Sequence, residues 1–175
     1  MLACSAIMRL PLRALGLLAW ALSFSGCGGS SYEGQIYRGE QLSFRTGAVP
    51  GQWRSVEVDG ALLAFRDDQA GATVAVNGRC GVDGDDVPLD ALTKHLFLVF
   101  TDRKLTNQQS VQLDGRDALR TELTAELDGV SKQFLVYVLK KDGCVYDFMW
   151  IASVDAPRAS REAFERFVSG FSTRI

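Results

Sequence analysis

Four Asp-Gly pairs, at Asp59-Gly60, Asp114-Gly115, Asp128-Gly129 and Asp142-Gly143, constrain this chain more than any other feature. A two-residue type I′ hairpin needs positive φ at both central positions, and Asp-Gly accepts that geometry at little steric cost. The last three pairs recur at constant spacing between runs of β-forming residues. They predict four consecutive strands at about 106–113, 116–127, 130–141 and 144–153, an antiparallel meander. Asp59-Gly60 is expected to join 53–58 to 61–66 in the same way. A strand near 72–77 follows, and Gln41 to Arg45 reads as an edge strand.

The strands differ in the cover they demand. In 119–127, Leu119, Leu123 and Leu127 alternate with Arg120, Glu122 and Glu126, which predicts one wet face. Residues 134–139 are all apolar or aromatic, and only Asp147 interrupts 144–151. Such runs belong to central strands covered on both faces. Two helices are available as cover. One, over 88–100, follows Pro88 and places Leu89, Leu92, Leu96 and Val99 on one face. The other, over 156–171, has Asp155 as cap, Pro157 in its first turn and an apolar face of Phe164, Phe167, Val168 and Phe171. The expected class is α+β: a three-layer α-β-α sandwich around a mainly antiparallel sheet.

Residues 1–26 read as an export signal. Arg9 and Arg13 precede an apolar stretch, Ala14 to Phe24, that is too short to span a bilayer. Phe24-Ser25-Gly26-Cys27 then resembles the lipobox of bacterial lipoproteins, although that family usually carries Leu where Phe24 stands. The resemblance implies a diacylglycerol on the Cys27 thiol, cleavage before Cys27 and an often acylated amine. Two or three acyl chains tether a domain to a membrane more firmly than the marginal hold of one. Gly28, which is not Asp, leans toward the outer membrane, facing the periplasm. A second start is available at Met8, which would leave Cys4 untranslated. Removing residues 1–26 takes Arg9 and Arg13 and no acid, so the net charge moves from −2 to −4. Residues 27–40, rich in glycine after the lipidated cysteine, read as a flexible tether, and 41–175 as one domain. No basic run points to nucleic acid.

The element order and several local phrases resemble the PsbP-like superfamily, which includes photosystem extrinsic subunits and Ran-binding import factors. The phrases are Ala72-Thr-Val-Ala-Val76, Leu113-Asp-Gly-Arg-Asp-Ala118, Val145-Tyr-Asp-Phe148 and Phe164-Glu-Arg-Phe-Val-Ser-Gly-Phe171. Uncharacterised small bacterial lipoproteins of that fold are more similar still. The resemblance covers roughly 41–173 and consists of packing and turn motifs. It implies a non-catalytic binding or assembly module of the cell envelope, without a cofactor. The implied partners are the membrane, through the anchor, and an envelope protein or small ligand. No functional residue of the superfamily has a counterpart motif here.

Few side chains offer chemistry. His95, the single histidine, falls between Leu92 and Leu96, with no nucleophile or carboxylate at an indicative spacing. Asp83, Asp85 and Asp86 form an acidic loop, but an EF-hand begun at Asp83 would need glycine where Pro88 stands and glutamate where Lys94 stands. A solvated cap on the following helix is the expected role. The alternative function is an envelope enzyme or metal-responsive sensor built on His95 and this loop. Cys80 and Cys144 form an even pair in an exported chain, which allows a disulfide or two separate buried thiols. Trp53, Tyr137, Tyr146 and Trp150 read mainly as core. Trp53, on a peripheral strand, is the candidate for an exposed ligand contact.

Overall fold

The computed structural model describes residues 29–81 and 87–175. Its main body is a seven-stranded antiparallel sheet of order β4-β5-β6-β10-β9-β8-β7. The strands are β4 (Trp53–Ser55), β5 (Leu63–Asp67), β6 (Ala72–Cys80), β7 (Thr101–Leu113), β8 (Arg116–Leu127), β9 (Val130–Lys141) and β10 (Cys144–Ser153). The last three Asp-Gly pairs do what the sequence predicts. Asp114, Asp128 and Asp142 have φ of 47°, 51° and 53°, and the glycine after each is also positive. At Asp59-Gly60 only the glycine lies in that region. The Ala61 amide donates to Val58 O at 3.0 Å, so this turn has the type II pattern, with glycine at the position needing positive φ. It joins a longer loop between β4 and β5 rather than a two-residue hairpin.

The three-layer α-β-α sandwich is not what forms. The chain is mainly β, and the cover on the sheet differs between its faces. On one face α2 (Arg158–Ser169) shares the work with a separate three-stranded sheet, β1 (Ser31–Glu33), β2 (Ile36–Arg38) and β3 (Ser43–Arg45). Phe44 and Tyr37 of that small sheet join Phe148, Trp150, Phe164, Phe167 and Phe171 in the larger core cluster. The expected tether therefore ends early, because residues 31–38 form β1 and β2 and Tyr32 packs edge-on to Phe65. On the other face the only helix among the described residues is α1 (Leu89–His95), over β8 and β9. The expected helix to residue 100 stops at His95. Bonds from Phe97 N to Lys94 O and Phe100 N to Phe97 O wind the chain into tighter turns that deliver it to β7. Pro157, not Asp155, occupies the N-cap of α2.

The central strands are buried on both faces, as their apolar runs require: all of 134–139 and 144–150 is buried. Asp147 is the exception in kind. It is 1% exposed, accepts a bond from Asn77 Nδ2 at 2.8 Å and has Arg79 Nη1 at 3.5 Å, while Oδ2 has no hydrogen bond among the described residues. Burial pushes its carboxyl pKa up, and Asn77 and Arg79 do not cancel that. A raised folded-state value means full stability below the unfolded value and a loss as pH rises through the folded one. Asp147→Asn should therefore match the parent near pH 4 and be the more stable protein at pH 7. Urea midpoints at the two pH values check this, and an equal difference at both would refute it.

Candidate functional site

Beyond α1 the chain makes an apolar groove. Phe97, 3% exposed, is held edge-to-face against Phe134 with ring centres 5.3 Å apart. Leu98 and Val99 are then turned outward, 65% and 78% exposed. Leu105 of β7 stands opposite, 63% exposed, and Leu123 and Thr121 of β8 form the floor. The cavity measures about 400 Å³, within the range of small-ligand sites. Two cations and an amide ring it. Lys94 pairs with Asp90 at 3.1 Å, Arg103 Nη1 donates to Phe97 O at 3.3 Å, and Gln108 donates to Thr121 Oγ1 at 3.0 Å. Arg103 has no carboxylate partner among the described residues. The groove can hold an apolar group with a polar or anionic end. It offers no nucleophile paired with a base.

The opposite face of β8 carries a buried charged network. Arg120, 8% exposed, donates Nε to Tyr137 Oη at 3.0 Å, Nη2 to Glu165 Oε1 at 2.7 Å and Nη1 to Glu122. Arg161 of α2 closes the ring on Glu122 at 2.7 Å. Burial opposes ionisation of Glu122, but the bonds from Arg120 and Arg161 outweigh it and hold its pKa low. The Arg120 pKa is raised: burial works against the cation, and Glu165, Glu122 and Tyr137 overcome it. The sequence alternation marks this as a wet face. The residues instead dock α2 onto the sheet, and the paired signal was Arg120-x-Glu122 on the strand with Arg161 and Glu165 one turn apart on the helix.

The residues singled out by sequence do not converge. Cys27, Asp83, Asp85 and Asp86 lie outside the described residues. His95 ends α1 with an exposed side chain and does not line the groove. Trp53 is buried, 7% exposed, between Phe65 and Phe167, and its Nε1 has no hydrogen-bond partner among the described residues. It is a core residue, because β4 turns its one aromatic side chain inward toward α2, so it offers no exposed contact. Cys80 and Cys144 are joined by a disulfide between directly paired positions of β6 and β10. Among the described residues no group of three or more potential ligands could hold a metal ion, and no helix is long and apolar enough to cross a membrane.

No protein-family model and no curated protein matches the sequence. Solved structures do share the fold. Cyanobacterial PsbP from Synechocystis sp. PCC 6803 is 14% identical with a TM-score of 0.53, over 83% of this chain and 91% of that one. LpqN of Mycobacterium tuberculosis, a protein involved in cell envelope biogenesis, is 14% identical with a TM-score of 0.54, over 82% of this chain and 88% of that one. A Bacteroides thetaiotaomicron protein gives 12% identity and 0.53, but this chain spans only 45% of its length. At such identities the likeness shows a PsbP-like fold and nothing finer.

Proposed function

We infer that this protein is a non-catalytic binding module of the bacterial cell envelope, lipid-anchored through Cys27, that holds an envelope partner in the groove between α1 and β7. The groove carries this reading: Leu98 and Leu105 stay largely exposed along it, over an apolar floor and beside two cations. The signal-like segment before Cys27 supports export and anchoring, and LpqN shows the same fold in a protein of envelope biogenesis. The outer membrane, on its periplasmic side, is the proposed location, from Gly28.

Intact mass of the full chain purified from membranes should begin at Cys27 and carry acyl mass. Mild crosslinking in envelope preparations should capture a partner that Leu105→Glu loses at least tenfold and His95→Ala keeps. A capture insensitive to Leu105→Glu, or lost with His95→Ala, would remove the groove from the function.

A further inference from the structure

Strand β7 ends the main sheet, and among the described residues nothing pairs with its outer edge. Long open edges invite another chain, and proteins blunt them with bulges, charges and prolines. Here the blunting covers only half the strand. Asp102, Arg103 and Lys104 are charged, Asp102 has φ of 47°, and both register shifts against β8 fall between Thr101 and Asn107. From Asn107 to Leu113 the ladder with β8 is regular, and the segment Asn-Gln-Gln-Ser-Val-Gln-Leu has no charge, proline or glycine. Residues 107–110 are exposed, so no layer of the fold covers that edge.

We propose that Asn107–Leu113 pairs antiparallel with the same segment of a second copy, about a two-fold axis through Ser110. The side chains favour a copy of this chain over a different strand. In that register Gln108 meets Gln112 of the second copy and Ser110 meets itself. Each amide has donors and acceptors, so like meets like without conflict. No like charges face one another, although the chain as a whole is acidic. An antiparallel edge pairing keeps the α1 faces on one side of a continuous sheet. It also sets Gln112 of one copy beside Gln108 of the other, which lines the groove, so each groove gains an outer wall from its neighbour.

Residues opposite each other in such a pair have Cβ atoms roughly 4.5–5.5 Å apart, close to disulfide reach. In cells making the full chain, Ser110→Cys under mild oxidation should give a product of twice the mass on a non-reducing gel. Gln109→Cys, whose opposite residue is Val111, should give at least tenfold less. Ser110→Lys places two ammonium groups on the axis while remaining an ordinary edge residue. The purified full chain with that change should keep its far-UV spectrum and sediment with half the protein mass of the parent. Equal crosslinking at 109 and 110, an adduct with a different protein at 110, or an unchanged mass for Ser110→Lys would each overturn the pairing. Loss of the pairing with envelope capture intact would leave the binding function standing.

Discussion

Replacing both Cys80 and Cys144 with alanine should lower the unfolding free energy by about 4 kcal/mol, one of the two largest effects a small change can have here. The two residues are paired across β6 and β10 and lie 64 positions apart. The closed loop contains α1, β7, β8 and β9, so the bridge restricts a long segment of the unfolded chain. Little native geometry depends on it, because the β6–β10 register continues from Cys144↔Cys80 to Ile151↔Thr73 without a shift. The loss should therefore appear in the denaturant midpoint, with the folded spectrum unchanged. Parent protein in strong reductant should unfold with the double variant. A parent that is indifferent to reductant, with a variant within about 1 kcal/mol of it, would mean the bridge constrains little.

That bridge was open to sequence reasoning only as an even pair of thiols in an exported chain. The register that brings them together comes from the crossover of β6 to the side of β10, which no local signal announces. The meander was legible because each hairpin needs two left-handed residues, and few dipeptides other than Asp-Gly supply them. Strands β9 and β10 were legible because continuous apolar runs cannot sit at a wet edge. Of the small sheet only β3 was legible, inside the strand expected over Gln41 to Arg45, and β1 and β2 were hidden for the opposite reason. They have three residues and one aromatic each, Tyr32 and Tyr37, too short for any period to show. With that layer unseen, α1 and α2 alone were left to cover the sheet, and a helix-only cover on each face was expected. The candidate site was hidden too. Leu98 and Leu105 are ordinary apolar residues in sequence, and only the early end of α1 leaves them facing outward across a groove.

Phe44→Ala tests how much of the protein depends on that hidden layer. Phe44 is fully buried on β3, stacks on Tyr37 at 5.1 Å, and meets Tyr146, Phe148 and Phe171 with ring centres 5.9–6.5 Å away. It thus touches the small sheet, the central strand β10 and the chain just past α2 at once. Backbone bonds hold β3 beside it, with Arg45 N donating to Ser172 O at 2.8 Å and Gly47 N to Phe167 O at 2.7 Å. Those bonds resist collapse of the surroundings into the space left behind, so the cavity term should be felt nearly in full. Truncation to alanine should cost roughly 3–5 kcal/mol, the range for deleting a buried phenylalanine. If β1–β3 were an ornament on a self-sufficient sheet, the loss would stay near 1 kcal/mol, the centre of ordinary point substitutions, and protease would clip only 29–50. A loss in the higher range, with β10 amides losing hydrogen-exchange protection together with β3, would make the small sheet part of the core's cooperative unit.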